Sequence, residues 1–151
     1  MFSKTHLVIA LFFILIFFQH IENPIIFLPV AFFATIFPDV DNKFSKIGHH
    51  KIFRIFNFFI RHRGIIHSFT FLAIISIFIF LFFKEILIPF TAAYSLHLIL
   101  DGFTKKGIKP LYPLKKEMKW KIKTGGIIET ALFIIFFLVD LLLIAKKFNV
   151  L

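Results

Sequence analysis

No cysteine occurs anywhere in the 151 residues. That absence removes disulfides, thiolate zinc sites and cysteine nucleophiles together, so any metal must be held by imidazole and carboxylate. Acids are also scarce, 8 Asp and Glu against 18 Lys and Arg, so each acid placed in an apolar setting needs a reason. The aromatic content is almost all phenylalanine, 26 Phe beside one Trp and two Tyr. Mixed with Ile and Leu, these rings read as lipid-facing filler rather than as a platform on which bases stack. No internal repeat and no low-complexity linker divides the chain. What is abundant is apolar residues: 59% of the chain is hydrophobic and the mean hydropathy is +0.91, too high for a soluble fold of one domain's length. The formal charge of +10 then reads first as a signal of membrane topology, and no direct contact with nucleic acid is expected.

The apolar stretches predict an all-α, polytopic helical membrane protein forming one integral domain, with about five transmembrane helices near 6–21, 24–37, 65–83, 86–103 and 127–145. The last three have the roughly 18–20 residues that crossing hydrocarbon requires. The first two are short and are either tilted spans or a re-entrant hairpin closed by His20–Pro24. The N-terminus resembles a signal peptide, with one Lys and an apolar core, but no small-x-small cleavage site follows, so it is expected to stay. Five crossings put Lys4, the basic residues of 42–64 and the eight lysines of 104–124 on one face, fifteen of the 18 basic residues. By the positive-inside tendency that face is cytoplasmic, with the N-terminus inside an inner membrane and the C-terminus outside. Between the second and third spans, residues 49–60 read as an interfacial helix, apolar at Ile52, Phe53, Ile55, Phe56, Phe58 and Phe59 and polar at Lys51, Arg54 and Asn57.

The protonatable residues gather on the same face. His6 opens the first span, Asp39 and Asp41 end the second, His62 and His67 flank the start of the third, His97 and Asp101 lie in the last turns of the fourth, and Glu129 lies in the first turns of the fifth. Ionisable groups in membrane helices are costly and face a bundle interior or a water-filled cavity, so their convergence at one depth points to a site. His97 and Asp101, four apart, share a helix face and suit one ion, or else form a buried structural pair. In Pro38-Asp39-Val40-Asp41-Asn42 two carboxylates two apart follow a proline, where an irregular backbone aims both at a hard cation or else makes a solvated turn. On one continuous helix His62 and His67 would stand about 140° apart, so they converge only if Gly64 breaks the backbone, leaving His62 in a loop and His67 in a first helical turn. The plainer reading makes His62 and Arg63 interfacial anchors, Glu129 a first-turn acid favoured by the helix dipole and His6 a cap.

Other residues are set aside. Ser68 points about 100° away from its neighbour His67 and makes no nucleophile pair with it. His49 and His50 lie in the basic loop. Asp140, far along the fifth span from Glu129, is better explained by pairing with Lys84 or Lys147. Gly125-Gly126 lacks the pattern of a phosphate-cradling loop.

Thr5-His6, Phe37-Pro38-Asp39-Val40-Asp41 with Ser45 and Gly48, His62-Arg63-Gly64-x-x-His67-Ser68, and His97-x-x-x-Asp101-x-x-Thr104-x-x-Gly107-x-x-x-Leu111-x-Pro113 together resemble the YdjM-type family. Members are described as LexA-binding, inner-membrane-associated, metal-dependent hydrolases, in some cases phospholipase-like; the LexA link belongs to particular members and is not carried over. Ile66 stands where members often carry Thr. The resemblance implies a hydrolase acting on a phosphate or acyl ester of a lipid at the cytoplasmic membrane face.

On this reading His67, His97, Asp101 and Asp39 or Asp41 hold a divalent metal, with His6 and His62 completing a second site. Zinc comes first given the imidazole share, with manganese or magnesium next. Glu129 is the expected general base, or a bridging ligand. Arg63 and the lysines of 104–124 are expected to hold an anionic headgroup, with membrane lipids as partners. The competing classes are a non-catalytic scaffold, which needs the converging acids and histidines only if it is a metal-binding one, and a metal or proton transporter, which needs polar residues through both leaflets.

Overall fold

A computed structural model of the chain describes residues 1–39 and 63–147. The expected interfacial helix at 49–60, together with His49 and His50, lies outside the described residues. The described residues are mostly helical: α1 (Ser3–Phe17) ending in a 3-10 turn (Phe18–His20), α2 (Pro24–Ile36) ending in a 3-10 turn (Phe37–Asp39), a single turn α3 (Arg63–Ile66), α4 (Phe69–Phe82), α5 (Lys84–Gly102) and α6 (Ile127–Lys147).

Local chemistry sets the boundaries. Asn23 caps α2 through its side chain, which accepts from the Ile26 amide at 3.4 Å, and Pro24 takes the first helical position, where a missing N–H costs nothing. The tight link from His20 to Pro24 makes α1 and α2 antiparallel neighbours, so His6 and Asp39 return to the same end. The expected break at Gly64 falls instead at His67-Ser68. Ser68 is a strong N-cap in extended conformation: its hydroxyl accepts from the Phe71 amide at 3.1 Å and donates to the Ile65 carbonyl at 2.5 Å, so His67 lies in the turn before α4 rather than in its first turn.

Among the described residues, two helical stretches, Ser3–His20 and Ile127–Lys147, are long and apolar enough to cross a membrane. α2 and α4, with 13 and 14 residues, rise about 20 Å, short of the roughly 30 Å hydrocarbon layer. α5 has 19 residues but carries Lys84, Glu85, His97 and Asp101. The expected five full-length spans are therefore supported for two elements by length and composition.

α6 is built inside out. Its buried residues are Glu129 and Asp140, while Ile134, Ile135, Phe137, Leu138, Leu141 and Leu142 are exposed. In water this arrangement would be unstable; in lipid it is the favourable one, because the acids are what must be shielded. The core lies where α5 packs on α2 and α4, around Tyr94 and Leu98, both 0% exposed, and the Tyr94 hydroxyl donates to the Ile66 carbonyl at 2.7 Å. α6 packs on α1, with Phe12 and Phe136 edge to face.

Between α5 and α6 the chain forms a loop tied by bridges from Thr104 to Ile122 and from Ile108 to Met118. Gly107 lets it fold, with φ +64° and the Met118 carbonyl oxygen 2.5 Å from where a Cβ would stand. The loop reaches back to α4, whose first amide, Phe69, donates to the Pro110 carbonyl at 2.8 Å.

Candidate metal centre

Three elements bring four side chains to one point: Asp39 from the turn after α2, His67 from the turn before α4, and His97 and Asp101 from the last turns of α5. One ligand atom from each lies within 4.8 Å of all the others. The group has the composition and spacing to hold a metal ion. His97 Nε2 is 3.8 Å from Asp101 Oδ2 and 4.0 Å from Asp39 Oδ1, and His67 Nε2 is 3.7 Å from Asp101 Oδ2. Ligand atoms around one tetrahedral zinc stand about 3.5 Å apart, so the group is slightly open relative to that geometry.

His97 is the most informative member. Its Nδ1 lies 2.8 Å from the Thr35 carbonyl oxygen, which only accepts, so Nδ1 carries the proton and Nε2 of the neutral ring carries a lone pair. That lone pair faces two carboxylate oxygens in a residue 1% exposed, and among the described residues no hydrogen-bond partner reaches it. Electron pairs facing one another in a buried site repel unless a cation stands between them. The donor set therefore fits a divalent metal, with the second ring nitrogen locked to a backbone carbonyl as metal-binding histidines usually are.

Both carboxylates are divided in the same way. Asp101 turns Oδ2 to His67 and His97, while its Oδ1 meets His6 Nε2 at 3.1 Å and the Met1 amine. Asp39 turns Oδ1 to His97, while Oδ2 accepts from the Ser3 hydroxyl at 2.8 Å. The N-terminal segment thus orients both acids. His6 also stacks on His97, with ring centroids 3.9 Å apart and planes 16° from parallel.

Glu129, expected as a general base or bridging ligand, is not a member of the four-residue group. Its Oε1 accepts from the Phe2 amide at 2.6 Å and the Thr5 hydroxyl at 3.1 Å, and its Oε2 accepts from the Gly125 amide at 2.6 Å. It caps the start of α1 from another helix, since Phe2, the N-cap residue, offers no side-chain cap of its own. His6 contacts the group through Asp101. Asp41 and His62 lie outside the described residues, as does the guanidinium of Arg63, whose backbone opens α3.

Sequence reasoning missed Ser3 and the carbonyl of Thr35. Ser3, one helical turn before His6, was a weak signal that could have been read; a carbonyl oxygen has none. The expected pairing of Asp140 with Lys84 or Lys147 is corrected: the ammonium groups of Lys84 and Lys147 lie over the rings of Phe80 and Phe18, and both Asp140 oxygens are buried without a hydrogen-bond partner among the described residues. A lysine on a flexible stem takes the aromatic face at the helix end more cheaply than it reaches inward to an acid. Ser68, excluded as a nucleophile, is the cap of α4.

A chain whose described residues are mostly helical, which buries Glu129 and Asp140 on α6 while exposing that helix's leucines, and which gathers carboxylates and imidazoles at one end of its helices, is a membrane protein with a candidate metal centre. The chain belongs to the YdjM inner membrane protein family, whose model matches residues 1–151, its whole length. No curated protein and no solved structure gives a significant match.

Proposed function

We propose that this chain is a metal-dependent hydrolase of the inner membrane, acting on a phosphate or acyl ester of a lipid at the cytoplasmic face. The observation that carries the reading is the buried lone pair of His97 Nε2, held toward Asp39 and Asp101 by the Thr35 carbonyl. Asp39, His67, His97 and Asp101 would hold the ion, zinc first, with manganese or magnesium next. Bound there, it supplies Lewis acidity toward a phosphoryl or acyl oxygen. Ser3 and His6 orient the two carboxylates, and Glu129 enters as the anchor of the segment that carries them rather than as the general base. Arg63 and the loop lysines attract an anionic headgroup. The topology that goes with this has five membrane-crossing elements, α2 and α4 completed by their flanks, and the N-terminus in the cytoplasm. It is supported by the positive-inside tendency, since this topology would put fifteen of the 18 basic residues on the cytoplasmic side.

The test uses purified protein in nanodiscs, with elemental analysis beside ester hydrolysis. Wild type retains a divalent metal, and Asp101→Asn, similar in size but weaker as a ligand, loses most of it together with any hydrolysis. Unchanged metal content in Asp101→Asn removes Asp101 from the ligand set. A metal-replete wild type that hydrolyses no lipid ester leaves the metal-binding scaffold or transporter in place of the hydrolase.

A further inference from the structure

We propose that the apolar cavity between α1, α2 and α5 receives one hydrocarbon chain of a lipid whose headgroup ester lies at the metal centre. This rests on the hydrolase reading and names its substrate as a long-chain amphiphile rather than a soluble ester. The cavity, open on one side, has a volume of about 470 Å³, and apart from His20 and Ser95 its lining is apolar. That size falls in the range of about 300–1,000 Å³ usual for small-molecule sites.

The argument is one of register. Residues four apart on a helix stand one above the other, about 6 Å apart. On α1, Ala10 lines the cavity and His6 is four residues before it. On α2, Ala31 lines it, and Thr35 and Asp39 follow at four and eight. On α5, Pro89 and Ala93 line it, and His97 and Asp101 continue the same series. The cavity therefore begins one helical turn from His6 on α1, from Thr35 on α2 and from His97 on α5, where it also spreads to the neighbouring face at Ala92, Leu96 and Ile99. At that one-turn distance the lining residue is alanine, Ala10, Ala31 and Ala93, at 3%, 1% and 7% exposure, and these small side chains leave space.

The order of chemistry along these helices is that of a lipid. Charged and imidazole groups stand at one end, and an apolar cavity begins one turn beyond them and extends along α1 to Phe17, eleven residues or about 16 Å beyond His6. Half of a hydrocarbon layer is about 15 Å. Beside the polar end, eight lysines follow α5 in the loop, complementary to an anionic headgroup. A site holding only a phosphate or a soluble ester would need no such cavity beside it.

The experiment uses the full chain in nanodiscs containing a phosphatidylglycerol with a photoreactive diazirine midway along a sixteen-carbon chain, and maps the labelled residues by mass spectrometry. Label concentrates on the cavity faces of α1, α2 and α5 in wild type. Ala31→Phe and Ala93→Phe each remove that label, while label on the outward leucines of α6 and the metal content stay as in wild type. Label spread evenly over the cavity and the outward faces of α4 and α6 means surrounding bilayer lipid only and overturns the proposal. So does cavity label that survives both substitutions, or label displaced from the cavity by a co-purified partner helix. Neither labelling nor metal content needs turnover. Cavity label in a protein that hydrolyses nothing sinks the hydrolase reading alone, and hydrolysis with evenly spread label sinks this one alone.

Discussion

Replacing Glu129 by Gln separates an anchor from a base. In the native site three donors converge on this carboxylate, from Phe2, Thr5 and Gly125. Glutamine keeps one oxygen for the first two but turns an amide NH₂ toward the Gly125 N–H, setting donor against donor in a residue 2% exposed. A buried donor left without an acceptor costs about 1–3 kcal/mol, and hydrogen bonds to an ionised acceptor exceed neutral ones by about 1 kcal/mol. Together these predict a loss of about 2–4 kcal/mol of stability. The strain does not stay local, because Phe2 and Thr5 bracket Ser3 and adjoin His6, the residues that orient Asp39 and Asp101. Outer-shell changes at metal sites cost about 10–100-fold in affinity, and Glu129 acts one contact further out, so the low end, about tenfold, is expected. The assay is a competition titration with a metal-sensitive chelator dye, run beside thermal unfolding of the protein in detergent. A general base behaves in the opposite way: metal affinity and unfolding temperature hold while turnover drops about 10²–10⁴-fold. That outcome would refute the anchor and return Glu129 to the chemistry.

Two further outcomes are expected. Asp140→Leu should raise the thermal stability, since it removes two buried oxygens without partners at a cost relieved of about 1–3 kcal/mol, and a fall in unfolding temperature would reveal a partner for this acid. Reporter fusions after Lys115 and after Lys147 should report opposite sides of the membrane, because α6 lies between them; the same side for both would show that α6 does not cross.

Much of the site was legible in the chain because membranes make ionisable residues expensive. Four of the residues singled out on cost alone, Asp39, His67, His97 and Asp101, are the four that converge. The spacing of His97 and Asp101 already placed both on one helix face, and the long apolar run of α6 already read as a span, since both follow from rules that act within a few residues. Other features depend on packing between distant segments. The break before α4 falls at Ser68 rather than Gly64 because a hydroxyl with an amide donor and a carbonyl acceptor in reach outcompetes glycine's freedom. Glu129 became an anchor because the start of α1, 127 residues earlier, brings bare amide donors to it. The ring of His97 is oriented by a carbonyl 62 residues away. Composition and period decide which residues must be hidden from lipid; only the tertiary structure decides which oxygen of each carboxylate faces the centre, because that choice belongs to the neighbours that fill its other lone pairs.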